Sequence, residues 1–333
     1  MIDAAFVIVT VAVAIATVLP FSRGKAWWIR SWDFPRLQLA GVALALVVAA
    51  AIRVEASGWV RLGVLAASAA CLAYHTVRIL PYTPLFPRQV AGAGVTERRR
   101  RLRLLVSNVQ ITNRRHDLLL GRIRECEPDV VVTLESDTEW ERSLDALQPD
   151  YPHAVKHPLD TGYGMHVYSR LPLENSRVEF LVEPEVPSMN ATVVLGSGHR
   201  VRAYFLHPAP PSPTEESGSE ERDAELVIVA KRVARENGPA VVTGDLNDVA
   251  WSATTRLFRK LSGLLDPRIG RGFFNTFHAR WFFIRWPLDH LFHSDEFTLV
   301  EMRRLRSVGS DHFPILVDLA LKPVAPSERE ARS

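Results

Sequence analysis

The chain has 333 residues, is 47% apolar and carries a formal net charge of +3 at pH 7. The length allows one large domain or two ordinary ones, and two distant cysteines, Cys71 and Cys126, exclude a disulfide framework and a cysteine-based metal site. The charge is uneven: up to Arg103 there are 13 Lys/Arg against 4 Asp/Glu, a balance of +9, and the remainder has 27 against 33, a balance of −6, so the larger part argues against a broad nucleic-acid footprint.

Residues 4–19, 37–52 and 62–77 are three apolar runs without an Asp, Glu, Lys or Arg. Each is close to the lower limit of about 17 residues for a spanning helix. Trp27, Trp28, Trp59 and Tyr82 flank them as interfacial anchors. The first run lacks a basic start and two more follow it, so a cleaved signal peptide fits poorly. The expectation is a bundle of about three transmembrane helices over residues 1–80. Arg23, Lys25, Arg30 and Arg36 lie before the second run, and Arg88 and the stretch ERRRRLR at 97–103 follow the third. The other connection holds only Arg53 and Arg61, so the positive-inside rule places the C-terminal part in the cytoplasm. Residues 81–101 read as a basic linker whose arginines meet anionic headgroups.

From Leu102 to Lys322 strands and helices alternate, and residues 323–333 read as a tail. LRLLVSN, PDVVVTLE and RVRAYFLH are strand-like, and each ends in a polar residue: Asn108, Glu135 and His207. DLLLGRIRECE and ERDAELVIVAKRVARE have helical periodicity. Ala240-Val241-Val242 then leads into Asp245, Asn247 and Asp248, a concentration of polar groups that costs desolvation unless something cationic meets it. Asp248 is the expected cap of the next helix. PLDHLFHS adds Asp289, and HFPILVDLAL follows the pair Asp311-His312. Strand ends on one edge of a layered α/β fold converge on a crevice.

The set SNVQ (107–110), TLES (133–136), LHPAPP (206–211), GDLND (244–248), LDHLF (288–292) and GSDHFP (309–314) resembles the endonuclease/exonuclease/phosphatase family over about residues 102–320. The resemblance implies a four-layer α/β/β/α sandwich of two mixed sheets. It also implies hydrolysis of a phosphate ester with a divalent metal, Mg2+ or alternatively Mn2+. By the same resemblance Glu135 is the main metal carboxylate, Asn108 beside it helps hold metal or phosphate, and Asp311 lies near the metal or orients a histidine. Asp245 positions or deprotonates the attacking water, Asn247 and His312 bind phosphoryl oxygens, His207 is a second histidine, and Asp289 orients a catalytic histidine. One departure is Gln110, where apurinic endonucleases carry an aspartate, so close kinship with that branch is not implied.

An anchor at the bilayer favours a lipid-linked or headgroup phosphate, held at high effective concentration. Membrane-bound bacterial relatives of similar layout imply an inner-membrane location. An anchored nuclease and a non-catalytic scaffold are the alternatives. A basic groove would mark the nuclease, and an apolar groove the lipid substrate. The aromatic stretch at 272–286 is the expected specificity loop, with Arg280 and Arg285 as phosphate contacts.

Overall fold

A computed structural model describes residues 2–22, 24–52, 58–212 and 218–323. The N-terminal helices are α1 (Ile2–Val18), the single turn α2 (Trp27–Arg30), α3 (Arg36–Ile52) and α4 (Gly58–Ile79). Two helical stretches, Ala4–Phe21 and Gly58–Tyr82, are long and apolar enough to cross a membrane. A third span arises if Trp27–Asp33 and α3, bent by 67°, are counted together. The third apolar run is therefore longer than its charge-free core, because Trp59, Val60 and Arg61 continue the helix before it. Outward apolar side chains such as Ile8, Ile52 and Val77 are exposed, as lipid-facing residues would be.

Two sheets follow. β1 (Arg101–Asn108), α5 (His116–Cys126), β2 (Val130–Leu134), α6 (Thr138–Leu144), β3 (His153–His157) and β4 (Met165–Ser169) build most of the first. β5 (Leu173–Glu179), β6 (Ser188–Val194), β7 (Arg200–Leu206), α7 (Glu220–Arg235), β8 (Ala240–Asp245), α8 (Ala253–Ser262) and β9 (Asp289–His293) build the second. β10 (Phe297–Arg304) and β11 (Ile315–Leu321) return to the first. The strand orders are β10-β11-β1-β2-β4-β3 and β5-β6-β7-β8-β9. Both sheets are mixed, because β1–β2 and β7–β8 are parallel and the other pairs antiparallel.

Strand alternation sets the layers. Leu104, Val106, Val130 and Val132 of one sheet meet Val201, Ala203, Phe205 and Val241 of the other in a shared core. The opposite faces pack on helices: Leu105 and Val131 against Leu119 and Ile123 of α5, and Tyr204 and Val242 against Leu226 and Val229 of α7. The result is the expected four-layer sandwich.

The segment at 81–101 is not a free linker. Tyr82 and Val90 are buried, and Ala91 and Ala93 exchange main-chain hydrogen bonds with Leu299. Three of its arginines, and Arg103 after it, have partners in the sandwich. Arg98 forks onto Asp129, Arg100 binds the carbonyls of Leu321 and Lys322, and Arg101 and Arg103 both hold the buried Asp318. The headgroup reading is corrected for Arg98, Arg101 and Arg103, whose charges are met by buried acids of the sandwich. The strap draws the bundle onto the sandwich. Ala40, Ile79 and Tyr82 share a cluster with Val249, Ala250, Trp251, Ile269 and Leu288. Tyr82 donates its hydroxyl to the Ala250 carbonyl at 2.7 Å, and Trp251 donates its indole N–H to the Asp33 carbonyl at 2.7 Å.

Candidate active site

Each sheet ends its parallel pair in polar residues on the same edge. At the end of β1 Asn108 lies opposite Leu134, one residue before Glu135. At the end of β7 Leu206 lies opposite Gly244, one residue before His207 and Asp245. Asp289 opens β9 directly across from Asp245, and Asp311 and His312 sit in the turn that leads into β11. Gly244 is required here. Its φ is 146°, and a Cβ would stand 1.9 Å from the Leu206 carbonyl oxygen, so only glycine lets these strands close together. Gln110, Glu135 and Asn247 have φ of 60°, 56° and 50°. Left-handed backbone at such residues costs about 1–3 kcal/mol each and persists where the surroundings impose it.

Asn108 joins the two sheets. Its Nδ2 donates to Glu135 Oε1 at 2.7 Å and to Asp245 Oδ2 at 3.0 Å, while its Oδ1 accepts from the Gln110 N–H at 3.1 Å. In this orientation Asn108 organises two carboxylates rather than presenting an oxygen between them. Asn247 donates its backbone N–H to Asp245 Oδ1 at 2.9 Å and its amide to the Pro208 carbonyl at 2.9 Å. His312 Nδ1 is 2.7 Å from Asp289 Oδ2, and its Nε2 is 3.5 Å from Asp245 Oδ2. His207 is buried, its ring 5.7 Å from that of Tyr163, and its Nδ1 has no hydrogen-bond partner among the described residues. Asp311 is half-buried, and its charge is felt at Glu135 and His312. All eight expected residues therefore meet at one pole.

The electrostatics divide the pole. Burial alone would lower the His312 pKa, but the charges of Asp289 and Asp245 and the Asp289 hydrogen bond push it up to about 10. His312 thus carries the proton of the pair. Burial works to raise Asp245, yet the charges of His312 and His207 and the Asn247 N–H hold it below the usual carboxylate range. Glu135 differs: burial raises it, and the charges of His207 and His312 and the Asn108 hydrogen bond do not offset that. Among the described residues no Lys or Arg pairs with Glu135. Two half-buried carboxylates, Glu135 without a Lys or Arg partner among the described residues and Asp311 nearby, are the donor set that a hard divalent cation prefers. Asp245, Asp289 and His312 also offer ligand atoms within 4.8 Å of one another, a second grouping able to hold a cation.

Other histidines and acids have structural roles. His290 is wedged between Arg268 at 2.7 Å and the Asp248 carbonyl at 2.9 Å, and burial drives its pKa down to about 3. His293 lies near its own strand end, against the Ser294 carbonyl. His166 meets the Ser136 hydroxyl at 2.6 Å on the strand beside Glu135. Asp248 does not cap α8: Ser252 does, accepting from the Thr255 N–H, and Asp248 accepts the Ser252 hydroxyl. The spacing fails because a helix cap must sit at the residue before the first turn, four residues later than Asp248.

Sequence reasoning missed the supports. Arg222 is buried and donates to the Asn247 carbonyl at 2.8 Å, while pairing with Asp223 and Asp248. Phe277 packs on His312, ring centroids 5.0 Å apart. Arg222 looked like one more polar position of an amphipathic helix, and only its burial marks it. The aromatic stretch is split. Phe273, Phe277 and Trp286 pack inward, whereas Trp281, Phe282 and Phe283 are exposed. Arg285 binds the His278 and Ala279 carbonyls and lies over the Phe313 ring, so it is a support of the loop; Arg280 is exposed near Gln110.

The sequence from residue 105 to 312 matches the model of the Endonuclease/Exonuclease/phosphatase family. The chain belongs to this family. No curated protein sequence matches it. Solved structures of the family's fold are similar at low identity. The endonuclease/exonuclease/phosphatase from Bacteroides vulgatus is 19% identical, covers 67% of this chain and 99% of its own, and superposes with a TM-score of 0.55. D. rerio TDP2 complexed with a single-strand DNA product is 17% identical over 66% of this chain and 98% of its own, with a TM-score of 0.54. The human Nocturnin catalytic domain with bound sulfate is 17% identical over 68% of this chain and 97% of its own, with a TM-score of 0.55. The family model spans the sandwich from β1 to the turn before β11.

Proposed function

We propose that the protein is a membrane-anchored, divalent-metal-dependent phosphoesterase that hydrolyses a phosphodiester or phosphomonoester by water attack. The observation that carries this reading is the division of the pole into an uncompensated carboxylate at Glu135 and an ion pair at Asp289–His312. Glu135 and Asp311 would hold Mg2+ or Mn2+, with Asn108 keeping the Glu135 carboxylate in place. When bound, the cation neutralises phosphoryl charge and polarises an ester oxygen. His312, kept protonated by Asp289, donates from Nε2 to a phosphoryl oxygen. Asp245 stays ionised and accepts the proton of the attacking water or orients it, within 3.5 Å of His312 Nε2. Asn247 and His207 supply further donors, since charge in loose phosphoryl transition states spreads over the equatorial oxygens. The compact Asp245–Asp289–His312 grouping is better used this way than as a metal site, because a metal ligand imidazole must be neutral.

The same proposal includes a membrane anchor, supported by the apolar helices, with the sandwich on the cytoplasmic face, supported by the loop charges, and a bacterial inner membrane, taken from the resemblance to membrane-bound bacterial relatives. A nuclease is the second reading, favoured by the likeness to TDP2, whose solved complex contains single-strand DNA. The test is an assay of the full chain in detergent with Mg2+ on plasmid DNA, on bis(p-nitrophenyl) phosphate and on a lipid phosphate, beside Asp245→Ala. Hydrolysis of the small or lipid ester that the variant loses supports the proposal. DNA cleavage alone, lost in the variant, replaces it with the second reading. No difference between wild type and variant on any substrate removes the catalytic assignment.

A further inference from the structure

Among the described residues the bundle meets the sandwich at one end. α1 finishes, α3 begins and α4 finishes at that end, so the turn containing Trp27, Trp28 and Trp32 sits where membrane helices give way to the catalytic domain. Tryptophans at such a level are suited to a membrane–water interface. Between this turn and the sandwich lies a cleft of 430 Å³, lined by Trp27, Ser31, Trp32 and Phe34 on one side and Pro211 and Trp286 on the other. This volume falls within the range of about 300–1,000 Å³ usual for ligand sites. Its walls are mostly aromatic and belong to both halves of the molecule.

The cleft is close to the reacting edge. Pro211 follows His207 by four residues on the loop whose Pro208 carbonyl accepts the Asn247 amide. Trp286 stacks on Phe277 at 6.1 Å between centroids, and Phe277 packs on His312 at 5.0 Å. One ring thus separates the cleft wall from the catalytic imidazole. Beside the cleft, Trp281 is 53% and Phe282 78% exposed. Gln38 in the first turns of α3 donates to the Phe283 carbonyl at 2.7 Å, which fixes this aromatic tip against the membrane helices. Exposed aromatic rings clustered beside a membrane helix suit insertion among lipid headgroups and are costly in water.

We infer that this cleft holds the hydrocarbon tail of a lipid-borne phosphate ester while its phosphate reaches the pole formed by Glu135, Asp245 and His312. The inference rests on the phosphoesterase reading for its catalytic half and on the cleft for its lipid half. The aromatic tip and the interfacial tryptophans then form the entrance from the bilayer, and the bundle is half of the substrate site as well as an anchor.

The experiment uses the full chain in detergent. A phosphatidic acid carrying a diazirine in its acyl chain is photolysed with the protein, and labelled peptides are mapped. The expected labels lie in the peptides of Trp27–Pro35, Pro211 and Trp286, and excess unlabelled phosphatidic acid removes them while glycerol 3-phosphate, which shares the head and lacks the tail, does not. In parallel, Ser31→Trp fills the cleft away from the catalytic groups. It is expected to raise KM for a lipid phosphate about ten-fold while turnover of bis(p-nitrophenyl) phosphate stays within two-fold. Labels confined to the outer faces of α1, α3 and α4 would overturn the inference, as would cleft labels displaced by a single-stranded oligonucleotide and not by phosphatidic acid. Equal losses on both substrates would also overturn it. If neither substrate is turned over by wild type, the phosphoesterase reading fails, and the labelling map alone decides the cleft.

Discussion

Glu135 and Asp289 are both acids at the same buried edge, yet they stand in opposite situations. Asp289 has its cation built in, the His312 imidazole at 2.7 Å. Glu135 has an amide and the charges of two imidazoles, and among the described residues no guanidinium or ammonium pairs with it. The difference teaches how to tell two kinds of acid apart: one with a resident cation tunes that partner, and one whose pKa burial raises and that lacks a resident Lys or Arg is where the proposed reading puts a cation from outside the chain. On that reading the two halves make opposite demands on folding: one is satisfied as folded, and the other carries a desolvation cost that a bound cation would relieve.

The comparison can be broken most forcefully at the chemistry. Asp245→Ala or His312→Ala should reduce kcat by at least about a hundred-fold, from typical acid–base contributions, with Mn2+ affinity changed only modestly. A few-fold loss measured by steady-state kinetics would remove that residue from the mechanism. Next in size is the support beneath Asn247. Arg222→Met leaves Asp248 buried without its cation and should cost about 3–5 kcal/mol of stability, read as a fall in Tm by calorimetry, and an unchanged Tm would show that Asp248 is neutral in the fold.

A smaller and sharper effect concerns pH. Because the His312 pKa is raised from 6.5 to about 10, the imidazolium contributes stability that is complete below pH 6.5 and lost as pH rises through 10. Activity requiring that proton should therefore fall only in strongly alkaline solution. In Asp289→Asn the Asp289 charge is gone, burial pulls the pKa down, and the alkaline limb of kcat/KM should move toward neutral pH. A limb that stays in place would mean the proton is not held by Asp289. The smallest expected effect lies outside the pole. Glu225, raised by burial to about 7 and held only by the Ser188 hydroxyl, costs stability as pH rises from 4.5 through 7. Glu225→Gln should stabilise the protein at pH 8 by up to a few kcal/mol and by nothing at pH 4, as denaturant midpoints would show.

The polar strand ends were legible in the sequence because each interrupts an apolar alternation at a point where a sheet must stop. Asn108, Glu135, His207, Asp245 and Asp289 all betray themselves in that way, whereas the four layers were legible only through the family resemblance that these residues carry. What stayed hidden were contacts between elements far apart in the chain. Trp251 against Asp33 and Phe277 against His312 have no local signal, since burial and not spacing makes them matter. The strap at 81–101 was misread for a related reason. Arginines, prolines and glycines in a row suggest a solvated linker, and only the position of Asp129 and Asp318 shows that the charges are paired inside the fold.

The most direct measurement is a Mn2+ titration of the full chain followed by electron paramagnetic resonance, comparing wild type with Glu135→Gln and Asp289→Asn. The account predicts that Glu135→Gln loses tight Mn2+ binding and that Asp289→Asn retains it within a few-fold. Retention in Glu135→Gln with loss in Asp289→Asn would place the cation among Asp245, Asp289 and His312 and would contradict the division of the pole.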